Sequence, residues 1–225
     1  MIPIKDTNPS RGFPIVNYLI IATCVVVFIN ELMLGAALRR FFLLYGIVPI
    51  RYVRPDIALH FSFTEQIIPF FSSMFIHGGW LHLIGNMWTL YIFGDNVEYA
   101  LGHIRYLVFY ILSGIIAAVI HIITNPFSPV PTVGASGAIA GVMGAYMFLY
   151  PRAKVLTLVP IFFFITFLEL PAVIFIGLWF ILQFFSGTLS LISGAGAYGG
   201  IAWWAHIGGF IGGVALLKLL RPQSR

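Results

Sequence analysis

Apolar positions in this chain run on in long blocks instead of alternating or recurring at helical intervals. Six blocks read as membrane-crossing helices: 13–34, 80–97, 104–124, 135–150, 171–189 and 201–220. A crossing helix needs about 20 mostly apolar residues to match the hydrocarbon core. The block 155–168 is apolar too, but it is short and contains Pro160. For that reason it is read as an interfacial or re-entrant segment leading into the fifth helix; a crossing there would invert the topology after it. The expectation is an all-α membrane protein, a six-transmembrane-helix bundle forming one domain over 1–225. The glycine-rich stretch 193–200 is its expected mobile element.

Composition agrees with this pattern. Hydrophobic residues make up 60% of the chain and charged residues 8%, where a soluble domain carries roughly 25% charged residues. The net charge of +5 is therefore no sign of a nucleic-acid partner. Lys5, Arg11, Arg105, Arg152, Lys154, Lys218, Arg221 and Arg225 all fall on one side of a six-helix topology, and the positive-inside rule makes that side cytoplasmic, with both termini. Arg39, Arg40, Arg51 and Arg54 lie in the long first loop, 35–79, among Phe41, Phe42, Tyr45 and Tyr52. That mixture suits a structure resting on headgroups. The single cysteine, Cys24, reads as a small buried hydrophobe. The first block is too long for a signal peptide and lacks a small-residue cleavage site. So little chain outside the blocks suggests a prokaryotic plasma membrane.

Polar residues inside a bilayer are expensive and call for a reason. Three groups stand out, each near the start of an even-numbered helix: His77, His82 and Asn86; Gly134, Ser136 and Gly137; and His206 beside Gly208 and Gly209. Even-numbered helices all descend from the same face, so the three groups share one depth. Gly137, Gly141 and Ala145 in the fourth block, and Ala205, Gly209 and Gly213 in the sixth, form small-residue stripes that let helices approach closely. Such a contact brings Ser136 to His206. A neutral imidazole is the usual base for a serine nucleophile, and the oxyanion it creates needs fixed donors. The Ser136 amide, Asn86 and His82 are candidates. Taken singly, each residue has a plainer reading: a back-bonded serine, a histidine bonding a neighbouring helix, a His82–Asn86 polar clamp. No His-Glu-x-x-His zinc motif is present, Asp95 and Glu98 sit together at the inner end of the second helix with Glu169 alone before Pro171, and no cofactor is expected. Glu98 reads as a helix-terminus carboxylate near the start of the third helix. His60, His103 and His121 receive no catalytic role.

These motifs resemble those of the rhomboid intramembrane serine proteases: His77-Gly-Gly-Trp-Leu-His82-Leu-Ile-Gly-Asn86, Gly134-Ala-Ser-Gly137, and Ala205-His206-Ile-Gly-Gly. The resemblance implies six helices around a water-filled cavity and transmembrane-helix substrates. It further implies Ser136 as nucleophile, His206 as base, His82 and Asn86 as oxyanion donors, and His77 as a supporting residue. Two departures stand out. Ala140 occupies a position where some members stack an aromatic ring on the histidine, leaving Trp203, Trp204 or Tyr146 to orient His206. Ile68 and Pro69 stand where some bacterial members have a Trp-Arg pair, so the first loop must be anchored differently. Phe175, Trp179, Phe180 and Phe184 are the expected substrate gate. The rival readings are a catalytically silent rhomboid-like protein that binds transmembrane clients, and a small transporter.

Overall fold

The structure is a computed structural model that describes residues 1–9, 11–161, 164–193 and 201–222. Strand β1 (Ile2–Asp6) precedes helix α1 (Ile15–Met33). The first loop contains five helices of four to eight residues: α2 (Leu38–Tyr45), α3 (Ile50–Val53), α4 (Pro55–Ala58), α5 (Phe63–Ile67) and α6 (Pro69–Ser72). Helices α7 (Trp80–Leu101), α8 (His103–Thr124) and α9 (Ser136–Leu149) follow, then strands β2 (Lys154–Ile161) and β3 (Phe164–Pro171), then α10 (Ala172–Ser193) and α11 (Trp203–Leu220). The glycine-rich stretch expected to be mobile lies outside the described residues beyond Ser193.

Helices α1, α8, α10 and α11 are each long and apolar enough to cross a membrane, so the protein is a multi-pass membrane protein. Helix α7 reaches that measure together with the loop helices before it, across a 76° bend. At 14 residues, α9 is shorter, and it tolerates this because it is the centre of the bundle. Every residue from Gly137 to Tyr146 is buried, so lipid does not set its length.

The α9–α11 contact is backbone against backbone. A Cβ at Gly209 would lie 1.9 Å from the Gly137 carbonyl oxygen, and one at Gly213 would lie 2.4 Å from the Gly141 Cα. The stripes expected to meet are those that touch. Lipid tails are as apolar as leucine, so such close packing replaces the hydrophobic effect as the force between helices.

At the opposite end from Ser136, polar groups tie the helices together. Glu98 accepts hydrogen bonds from the Val16 and Asn17 amides at 2.9 and 2.7 Å, meeting donors that the first turn of α1 leaves free. Its helix-terminus role is thus at α1 more than at the following helix, although His103 at the start of α8 also contacts it. Asn17 in turn donates to the Leu90 carbonyl and accepts from Tyr106. Helix α7 extends past the expected limit at 97, carrying Glu98 to the first-turn amides of α1. It stops at Gly102, whose φ is +80°.

The reading as all-helical needs correction. The segment 155–168 forms a β-hairpin, with Lys154 opposite Pro171 and Ile161 opposite Phe164. Strand β1 adds to it antiparallel, Asp6 opposite Val155 and Ile2 opposite Leu158. β-Branched and aromatic residues favour this. Val155 and Thr157 are fully buried while Phe164, Ile165 and Phe167 are exposed. Strand β1 follows α7: Asn96 bonds Asp6 and Asn8, and Trp88 donates to the Pro3 carbonyl. Eight residues of helix span about 12 Å, so the sheet rises beside the bundle instead of lying flat across its end.

Arg51 corrects a second expectation. It does not rest on headgroups but is buried at 2% exposure. It donates to the Leu43 and Glu65 carbonyls and lies 4.0 Å over the Phe61 ring. This is the anchor of the first loop in place of a Trp-Arg pair.

Replacing Gly209 by alanine should push α9 and α11 apart and destabilise the protein by about 1–3 kcal/mol, the usual cost of overpacking. Gly177, where an added Cβ meets nothing within 4 Å, is the control. Thermal unfolding in detergent should separate the two variants clearly, with Gly177→Ala at or above wild type.

Candidate active site

Ser136 opens α9 and His206 lies in the first turn of α11, so the glycine contact between these helices brings both to one level. Ser136 Oγ is 2.8 Å from His206 Nε2. On its far side, His206 Nδ1 is 2.7 Å from Gln183 Oε1 on α10. A carboxamide oxygen only accepts, so Nδ1 carries the ring proton and Nε2 presents a lone pair to the serine hydroxyl. Both His206 and Gln183 are buried. The Trp179 ring lies 5.8 Å from the His206 ring at 33°, and Trp203 meets it edge-on at 6.5 Å.

This resolves what holds the histidine when position 140 is alanine. Of the three residues expected to do so, Trp203 takes part. Tyr146 lies at the other end of α9, bonded to Asp6, because ten residues of helix carry it away from Ser136. Trp204 packs instead on Phe184. Gln183 was overlooked; its signal was a lone carboxamide within an apolar crossing segment.

Donors gather beside the serine. The first-turn amides of α9 have no intrahelical acceptor. His82 Nδ1 accepts from the Gly78 amide at 3.4 Å, which leaves the ring proton on Nε2. That nitrogen lies against Gly134: a Cβ there would be 2.7 Å from it and 3.7 Å from Ser136 Oγ. Gly134 also has φ +131°, so two constraints require glycine. One turn along α7, Asn86 is buried, and its side-chain nitrogen has no partner among the described residues. A buried amide donor without a partner is uncommon and marks a place where an acceptor can be received.

His77 packs behind His82. It is 1% exposed, its ring lies 5.2 Å from that of His82, and its amide faces the buried Glu31 carboxylate at 3.2 Å. Glu31 was not foreseen, being one acid near the end of an apolar block. Nor was His121, whose Nε2 is 2.8 Å from Thr132 Oγ1. His121, Ser136, His206, His82 and Asn86 all line one cavity of about 1030 Å³. Trp179 lines it too, whereas Phe175 is buried against Phe93 and Phe180 packs on Phe210. Only part of the expected aromatic gate therefore faces the cavity.

Chemically, the arrangement offers a hydroxyl hydrogen-bonded to a neutral imidazole whose tautomer is set from behind. It also offers a cluster of donors where negative charge could collect.

Comparison with known proteins bears on the same residues. The Rhomboid domain matches residues 64–223. A putative rhomboid protease, YdcA of Bacillus subtilis (strain 168), is 40% identical over 78 residues, 35% of this chain and 39% of that protein. RHOMBOID-like protein 5 of Arabidopsis thaliana is 30% identical over 154 residues, 68% of this chain and 44% of its own length. The rhomboid protease GluP of Bacillus subtilis (strain 168) is 36% identical over 78 residues, 35% of this chain and 15% of its own. The chain thus spans less than half the length of these relatives. The matched region holds all three polar groups and the helices that carry them, and the chain belongs to the rhomboid family.

Proposed function

We propose that the protein is an intramembrane serine endopeptidase that cleaves transmembrane-helix substrates by a Ser136–His206 dyad. The observation that carries this reading is the 2.8 Å contact between Ser136 Oγ and His206 Nε2 at the wall of a cavity that His82 and Asn86 also line. The six apolar helices α1, α7, α8, α9, α10 and α11 are read as six crossings of a single domain. The basic residues near Tyr150, Arg11 and Arg221 among them, mark the cytoplasmic end, and the dyad lies toward the outer surface of a cell membrane.

The reaction follows from the geometry. His206 Nε2 takes the Ser136 proton as Oγ bonds to the scissile carbonyl carbon. The carbonyl oxygen becomes an oxyanion facing the Ser136 amide, His82 Nε2–H and the Asn86 amide group. Preorganised donors of this kind strengthen their bonds as charge develops and need no reorganisation. As the C–N bond breaks, His206 returns the proton to the leaving nitrogen, leaving an acyl-enzyme. Water then attacks, gives its proton to His206, and releases the carboxylate as Oγ is reprotonated. A substrate helix must unwind locally first, because its amides are otherwise held in hydrogen bonds. The few polar groups on the cavity wall, Asn86 and Asn125 among them, offer those freed groups partners.

A fluorophosphonate tests the reading directly. Wild-type protein in detergent should be labelled, and Ser136→Ala and His206→Ala should abolish labelling. Cleavage of a model transmembrane substrate should fall on the order of 10⁴-fold in both. A folded wild type that resists labelling, beside an active serine hydrolase control, would favour the client-binding reading.

Asn86→Ala should lower kcat about 10²-fold, the usual cost of one oxyanion donor, with little change in KM. Gly134→Ala should be at least as damaging, since it crowds His82 and strains the backbone. Single-turnover cleavage measures both, and an Asn86→Ala enzyme at full rate would remove that residue from the oxyanion site.

A further inference from the structure

We infer that Gln183 is a positioning residue that holds His206 in its base-competent tautomer, and so makes the dyad functional only while α10 is seated against α11. The inference rests on the reading of Ser136 and His206 as a catalytic pair. Serine and histidine alone do not define a base: a neutral imidazole can carry its proton on either nitrogen, and only one of the two forms can take the serine proton. In this chain the choice is made from α10. Gln183 Oε1 lies 2.7 Å from Nδ1, and both residues are buried. As the imidazolium forms, the carboxamide dipole also faces its positive charge, a neutral counterpart of a carboxylate partner.

The location of Gln183 adds a consequence. Helix α10 is held to α11 by an aromatic seam, Phe180 against Phe210 at 4.5 Å and Phe184 against Trp204 at 6.1 Å. Many side chains of its remaining surface are exposed, Leu182, Phe185 and Leu189 among them. A displacement of α10 away from α11 would carry the carboxamide off Nδ1 and leave the tautomer unset, so the seam that seats α10 also sets the base.

The test uses full-length protein in detergent with Gln183→Leu, close in volume and apolar, and Gln183→Glu, which keeps an acceptor. Gln183→Leu should lower kcat about 10²-fold, at the low end of general-base contributions, with KM within about twofold. Gln183→Glu should recover most of that loss. Histidine ¹⁵N spectra, with His206 assigned by difference from His206→Gln, should show Nδ1 protonated in wild type and a mixture of tautomers in Gln183→Leu. Phe180→Ala, which loosens the seam, should lower kcat in wild type and add little in Gln183→Leu, since coupled positions are not additive. Unchanged tautomer in Gln183→Leu, or a Gln183→Glu enzyme no better than Gln183→Leu, would overturn the role of Gln183. Fully additive effects of Phe180→Ala would overturn the link to α10. If wild type neither labels nor cleaves, the protease reading fails, while the spectra still decide what Gln183 does to His206.

Discussion

Two helices that touch backbone to backbone are the constraint on which the site depends. With glycines at 137, 141, 209 and 213, α9 and α11 approach so closely that a single Cβ at 209 would collide with a carbonyl. Within a bilayer this contact gains little from the exclusion of water and draws on dispersion between closely matched surfaces. It also sets the register. Ser136 and His206 both lie in the first turn of their helices, so aligning the glycine rows aligns the two side chains. Hydrogen-bond distance between them is a consequence of packing several residues below.

Polar groups in the bundle gather at its two ends, and they serve different purposes. At one end Glu98, Asn17 and Tyr106 satisfy one another and the start of α1, which is how a buried polar network stabilises a fold. Near Ser136 the network is left incomplete. The Asn86 amide group lacks a partner among the described residues, and the His82 Nε2 proton lies beside the serine. An incomplete network destabilises a resting protein and leaves donors free to meet an acceptor.

The β-sheet answers the same constraint differently. Non-helical backbone beside a membrane helix needs its amides paired, and β2 is paired on both sides, by β1 and β3. Trp88 on α7 donates to the Pro3 carbonyl of β1. Charged Lys154 and Glu169 pair near the base of the hairpin, while the exposed residues nearer its tip are apolar. The sheet is therefore graded along its length in the way a bilayer is graded along its normal.

The sequence by itself determined the elements whose cause is local. Apolar blocks marked the long helices, and small-residue stripes named the pair of helices that meet. What it could not supply depends on residues far apart. Strand β1 exists because 2–6 finds 155–158, some 150 positions away, and no window on either segment contains the other. Gln183 is one polar residue in a block whose hydropathy is otherwise uniform. Lipid and protein interior are both apolar, so that block does not reveal which of its faces turns inward. The rotation of α10 against α11, set by Phe180 on Phe210, decided that the carboxamide meets His206. Arg51 and His121 were hidden for the same reason: their burial comes from how the first loop and α8 pack, and a charge or an imidazole reads alike in sequence whether it faces water, headgroups or a cavity.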